Sequence, residues 1–165
     1  MEEPTLAEEH QHLAQDELPE PLFQGEYTHS LDAKGRLTIP AELRPPLTQG
    51  MQLTRGFELC IIVLTQEAWR KLAQEAARLP TVYGEVRDNN RLVFGAAKAT
   101  LDSMGRILLP EHLRKHARID GQAVIVGVND KIEIWNPDVW DEHVTGAIGR
   151  SPEINAVTAK LGMTL

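Results

Sequence analysis

The 165 residues suffice for one average domain or two small ones, and a 42% apolar content is ordinary for a globular protein. No apolar run approaches the roughly 20 residues of a membrane-spanning helix, nothing at the N-terminus resembles a secretory signal, and the single cysteine, Cys60, excludes an intrachain disulfide. The formal net charge of −7 resides in the first 24 residues, which hold Glu2, Glu3, Glu8, Glu9, Asp16, Glu17 and Glu20 and no Lys or Arg; the rest carries 17 of each sign, so a nucleic-acid partner would have to be met by local basic clusters.

In chain order, residues 1–22 are acidic, contain Pro4, Pro19 and Pro21, and lack apolar periodicity. They are expected to form a mobile tail. His10 and His12 beside Glu8 and Glu9 do not make a closed set of four ligands, so no metal is expected there.

Residues 26–31 are predicted to be a strand, and Asp32-Ala33-Lys34-Gly35 a turn. Asp bonds the backbone amides of a turn through its side chain, and Gly supplies a positive φ. Arg36 to Ile39 is the returning strand, with Leu37 and Ile39 on one face and Arg36 and Thr38 on the other. The expected result is a tight hairpin with a charged tip. Pro40 opens a short helical turn to Arg44, which Pro45-Pro46 stops. Strands at 51–54 and 57–64 follow, and Cys60, inside the apolar run 59–64, should be buried and inert. Thr65 is the predicted N-cap of a helix over 66–79 ended by Pro80, with Trp69, Leu72, Ala73, Ala76 and Leu79 as a core-facing stripe.

Residues 81–94 permit a helix, and 96–101 reads as a strand. Asp102–Gly105 is then a second turn, Arg106–Leu109 a strand, and Pro110 opens a helix over 111–117. Residues 122–128 and 131–135 pair around Asn129-Asp130. Asn136-Pro137-Asp138 combines a capping Asn, a first-position Pro and a first-turn acid, which starts a helix that should fade at Gly146. Residues 147–165 are expected to be loosely held.

The second half repeats the first. Leu31-Asp32-Ala33-Lys34-Gly35-Arg36 and Leu101-Asp102-Ser103-Met104-Gly105-Arg106 share Leu, Asp, Gly and Arg, and the Pro, Leu and Arg that follow recur at matching offsets. Gly25 and Gly95 precede their Asp by the same interval, as Gly56 and Gly127 precede Trp69 and Trp140. Two units of this size cannot each bury a sufficient core, so they should pack together about a pseudo-twofold axis. The boundaries read as an acidic tail over 1–22, a first unit over 26–68, a helical connection over 69–96, a second unit over 97–140 and a tail over 147–165.

These residues resemble the MraZ family, bacterial proteins built of two SpoVT-AbrB domains. The likeness runs from Phe23-Gln24-Gly25-Glu26-Tyr27 to about Val144 and centres on Asp32-x-x-x-Arg36 and Asp102-x-x-x-Arg106. It implies an α+β fold, a duplicated AbrB-like swapped-hairpin β-barrel with flanking amphipathic helices. It implies a regulator of transcription that binds double-stranded DNA at promoter repeats upstream of the division and cell-wall gene cluster. It further implies a homo-oligomeric ring located in the cytoplasm and on the nucleoid, with no membrane partner.

On this reading Arg36, Lys34 and Arg106 are the DNA-binding residues, because a guanidinium fork suits phosphates and guanine edges. Asp32, Gly35, Asp102 and Gly105 orient the turns. Met104 stands where the first repeat has Lys34, so the first turn is expected to contact DNA more strongly. Bare physics leaves a second reading open, in which each motif is only a turn closed by a surface ion pair. Arg44 and Arg114 read as solvated or structural. His112 and His116 share a helix face, but no third ligand accompanies them, and no metal or cofactor is expected. No nucleophile–base arrangement or phosphate-binding glycine loop is readable, so no enzyme is expected. An AbrB-like protein-interaction module without intrinsic DNA specificity is the alternative.

Overall fold

The computed structural model describes residues 20–163. The acidic segment expected to be mobile, including His10 and His12, lies almost wholly outside the described residues; Glu20, Pro21 and Leu22 at its end are exposed.

Among the described residues, eight strands and five α-helices make up the α+β fold. The strands are β1 Phe23–Ser30, β2 Arg36–Thr38, β3 Met51–Arg55, β4 Cys60–Thr65, β5 Ala97–Ala99, β6 Arg106–Leu108, β7 Gln122–Asn129 and β8 Lys131–Trp135. The helices are α1 Gln66–Ala77, α2 Gly84–Phe94, α3 Glu111–His116, α4 Pro137–Gly149 and α5 Ser151–Lys160. Six strands form one antiparallel sheet in the order β1-β7-β8-β4-β3-β5, and β2 and β6 form a separate two-strand ladder. In the described pairings β1 and β5 each have one neighbour within this sheet.

The pairing corrects the expected local hairpins. β1 does not form a ladder with β2; only an isolated bridge joins Leu31 to Leu37. All eight residues of β1 pair instead with β7, from Phe23 opposite Asn129 to Ser30 opposite Gln122. β2 pairs with β6, its counterpart in the second repeat, placing Leu37 opposite Ile107. β3 pairs with β5, and β4 with β8. The two repeats are thus joined by four ladders arranged about a pseudo-twofold axis. The physical reason is burial: a three-residue strand has too little apolar surface to be stable on its own turn. Where the two short strands meet, Leu37, Ile39, Ile107 and Leu109 are fully buried. One core cluster accordingly draws residues from both repeats.

The helix caps form as expected. Thr65 Oγ1 accepts from the Ala68 amide at 3.1 Å, and Asn136 Oδ1 accepts from Asp138 and Val139 at 2.8 and 3.2 Å. Helix α1 ends at Ala77, two residues short of the expected Leu79, and none of its residues is buried. Trp69 meets the edge of Phe94, centroids 5.2 Å apart, so the stripe braces α2 and is not wholly sealed in the core. Trp135 is buried against Trp140. The segment after residue 147, expected to be loosely held, is largely helical and exposed. Helix α4 continues to Gly149, and α5 follows with Pro at its first turn and Glu153 beside it, a start signal that the surrounding Gly and Ser residues obscured. Cys60 is buried, and burial, reinforced by Glu133 and Glu58, pushes its thiol up to about 12.

Close approach of β1 and β7 requires a glycine. A Cβ on Gly127 would overlap the backbone of Gln24, whereas one on Gly146, within α4, would meet nothing. Gly127→Ala is therefore expected to cost about 1–3 kcal/mol through overpacking, and Gly146→Ala to stabilise by about 0.5–1 kcal/mol through helix propensity. Urea unfolding of both variants checks this; equal effects of the same sign would contradict the strand register.

Candidate nucleic-acid interface

The two turns have the same internal chemistry. In the first, Asp32 Oδ1 accepts from the Lys34 and Arg36 amides, each at 2.9 Å, and Oδ2 accepts from Arg36 Nε at 2.6 Å. The Gly35 amide donates to the Asp32 carbonyl and the Asp32 amide to the Arg36 carbonyl, both at 3.0 Å. In the second, Asp102 Oδ1 accepts from Met104 and Arg106 at 2.9 Å, and Oδ2 from Arg106 Nε at 2.8 Å. Gly35 and Gly105 take φ values of +80° and +74°, conformations that favour glycine over any residue bearing a Cβ. The expected turn-orienting role of Asp32, Gly35, Asp102 and Gly105 thus has a specific geometry: one carboxylate satisfies two backbone amides and fixes one guanidinium.

The β2–β6 ladder brings these turns together. Arg36 lies opposite Leu108, and Thr38 opposite Arg106, while Leu37 and Ile107 between them point into the core. Strand alternation therefore places Arg36, Thr38, Arg106 and Leu108 on one outward face. Arg106 also approaches the other repeat, with Nη1 3.8 Å from Asp32 Oδ2. The Arg36 and Arg106 side chains are half-buried, at 33% and 23% exposure. Because Asp32 engages Arg36 through Nε, the two Nη groups of Arg36 have no bonded partner among the described residues. A guanidinium held by one edge and open at the other is pre-oriented for a phosphate or a guanine edge.

The repeats are unequal where the sequence suggested. Lys34 and Met104 occupy equivalent exposed positions, and Met104 is 65% exposed. Thr38 and Leu108 differ likewise, and Leu108 is 56% exposed beside the arginines. At these two positions the first repeat presents a cationic and a polar group, and the second presents apolar ones.

Arg44 and Arg114, read from the sequence as solvated or structural, lie against the turns. Arg44 Nε donates to the Ile39 carbonyl at 2.7 Å, and Arg114 Nε donates to the Leu109 carbonyl at 3.0 Å. Each guanidinium lies over the turn glycine of the opposite repeat: a Cβ on Gly105 would overlap Arg44, and one on Gly35 would sit 3.1 Å from Arg114 Cζ. The signal in the sequence was their identical offset from Asp32 and Asp102, in helical turns that otherwise share only the leading Pro and the Leu before the Arg.

His112 and His116 face different backbone carbonyls. Their Nε2 atoms lie 3.0 Å from the Gly95 carbonyl and 3.1 Å from the Gly56 carbonyl, each a hydrogen-bonding partner for a ring N–H. No group of three or more potential metal-ligating side chains occurs among the described residues. No helix there is long and apolar enough to cross a membrane.

Two stretches of the chain, residues 22–91 and 92–153, match the family model described as "MraZ protein, putative antitoxin-like". The chain belongs to the MraZ family. It is 40% identical over 134 residues to a protein of Carboxydothermus hydrogenoformans named transcriptional regulator MraZ, covering 81% of this chain and 94% of that one. A Roseiflexus protein of the same name is 45% identical over 120 residues, covering 72% and 84%. A third, from Herpetosiphon aurantiacus, is 38% identical over 143 residues, covering 86% and 100%. In this MraZ-family chain the twofold family match divides between the two Arg-bearing turns, one in each stretch.

The Asp32 and Asp102 carboxyls are held below the ordinary 3.8, chiefly by the backbone amides of Arg36 and Arg106, with partial burial opposing and the guanidinium bonds assisting. A carboxyl whose folded pKa is depressed contributes order that is present above its unfolded value and disappears as pH falls through its folded value. Both turns should therefore stay intact on acidification to 3.8 and loosen only below it. Carboxyl-carbon NMR titration checks this; midpoints at or above 3.8 would remove the carboxylates from their bracing role.

Proposed function

We propose that this protein regulates transcription by binding double-stranded DNA at promoter repeats, with the paired Arg-bearing turns as its contact surface. The observation that carries this reading is the β2–β6 ladder, which sets Arg36 and Arg106 on one face while their aspartates fix both guanidinium planes. The names of the relatives, transcriptional regulators, support it. Arg36 leads the contact with Lys34 beside it, and Arg106 supports it. Asp32, Gly35, Asp102 and Gly105 shape the turns. The units 26–68 and 97–140 act as a pair, with 69–96 connecting them. Its place is the cytoplasm and the nucleoid, and the repeats lie upstream of the division and cell-wall gene cluster.

The chemistry is recognition without bond-making. A turn already closed by its own carboxylate loses little freedom on binding, so more of the contact energy is expressed as affinity. One such surface carries few charges, and the 31–44 window nets only one positive charge. A homo-oligomeric ring that presents many copies to repeated sites raises effective concentration and compensates for this. Exposed Ile154, Val157 and Leu161 on and beside α5 leave apolar surface available for such contacts. The same surface favours the second reading, an AbrB-like protein-interaction module without intrinsic DNA specificity.

A gel shift with the DNA upstream of the protein's own gene tests the proposal. Wild type should retard it, Arg36→Ala should weaken binding about tenfold or more through loss of a charge-assisted contact, and Arg106→Ala should weaken it less. Oligomeric mass should be unchanged. No retardation by wild type even at low salt would sink the reading, and full binding by Arg36→Ala would remove that residue from the surface.

A further inference from the structure

Arg44 and Arg114 lie in an arrangement that the ion pairs of the turns do not explain. The Ile39 peptide is used at both ends: its amide donates to the Gly105 carbonyl at 2.9 Å, and its carbonyl accepts from Arg44 Nε at 2.7 Å. The Arg44 guanidinium then covers the Gly105 Cα so closely that a Cβ there would overlap it. The second repeat mirrors this. The Leu109 amide donates to the Gly35 carbonyl at 2.9 Å, its carbonyl accepts from Arg114 Nε at 3.0 Å, and the Arg114 guanidinium covers Gly35. Each turn is therefore gripped from two sides by the other repeat, through a peptide amide below and a planar cation above. Its own repeat supplies the aspartate and the backbone hydrogen bonds that close the turn.

We propose that Arg44 and Arg114 are crossed positioning residues: Arg44 sets the pose of the turn that carries Arg106, and Arg114 sets the pose of the turn that carries Arg36. Lysine cannot replace them, because the contact on glycine is made by a flat, delocalised group and the bond to the carbonyl by its fixed Nε–H. Two consequences separate this from general stabilisation. Loss of Arg44 loosens the turn of the other repeat, Asp102–Gly105, while sparing that of its own, Asp32–Gly35; the converse holds for Arg114. The arginines of the two turns are also tied, since each repeat orders the other's contact residue, so neither turn is complete without the partner repeat. The effect on DNA rests on the proposed contact role of Arg36 and Arg106; the effect on the turns does not.

Amide hydrogen exchange on the full chain tests it, comparing wild type with Arg44→Ala, Arg44→Lys and Arg114→Ala. The reporters are the Met104 and Arg106 amides bound to Asp102, and the Lys34 and Arg36 amides bound to Asp32. Both Arg44 variants should accelerate exchange at Met104 and Arg106 by about tenfold and leave Lys34 and Arg36 unchanged; Arg114→Ala should do the reverse. Equal acceleration at both turns, acceleration confined to the variant's own repeat, wild-type behaviour of Arg44→Lys, or unfolding of both Arg44 variants would each overturn the crossed assignment. Where wild type binds upstream DNA, Arg44→Ala should weaken it in an Arg36→Ala background but add nothing to Arg106→Ala. Equal weakening in both backgrounds would overturn the link to the contact residue. If wild type does not bind that DNA, the contact reading fails and the exchange pattern still decides the positioning role.

Discussion

Three residues of one repeat, Arg36–Thr38, lie against three of the other, Arg106–Leu108, and the rest of the molecule depends on that short ladder. Its inward pair, Leu37 and Ile107, joins the core, and its outward pairs carry the arginines. Neither strand is long enough to persist alone. The burial of apolar side chains and the exposure of cationic ones are thus secured by one event, the meeting of the repeats. The turns on either side inherit their orientation from it, since Ile39 and Leu109 donate across to the opposite turn glycines.

The longer ladders follow the same logic. β1 finds its partner in β7, β3 in β5 and β4 in β8, so a six-strand sheet is assembled from strands of both repeats. Gly127 permits the approach of Gln24 in the first of these, where any side chain would force the strands apart. The pseudo-twofold relation is imperfect: β1 pairs over eight residues, and its counterpart β5 over three. The difference in side chains, Lys34 and Thr38 against Met104 and Leu108, adds a chemical asymmetry to this structural one.

Much of this was legible in the amino-acid sequence, for reasons particular to certain residues. The alternation of Leu37 and Ile39 with Arg36 and Thr38 fixed which side chains turn inward, and Asp32 with Gly35 marked a turn because only those chemistries close it. Thr65 and Asn136 announced helix starts through their caps. Periodicity, however, tells which face of a strand is buried and says nothing of which strand lies across from it. Local hairpins were therefore expected where the chain exchanges partners between repeats. The Arg44–Gly105 contact spans the repeats and leaves no local pattern; only the recurrence of an arginine at the same offset hinted at it. Helix α5 was obscured by Gly146, Gly149 and Ser151, although Pro152 and Glu153 carried the opposite signal.

The fold rests on the pairing of the two short strands across the repeats. The direct measurement is the pattern of backbone proton contacts in a nuclear Overhauser spectrum of the isotope-labelled full chain. The ladder predicts contacts between Leu37 and Ile107, and between the Ile39 amide and Gly105, with none of the regular strand-to-strand contacts that a hairpin of β1 and β2 would give beyond Leu31 and Leu37. A continuous set of contacts between 26–31 and 36–39, with Leu37 and Ile107 apart, would contradict it.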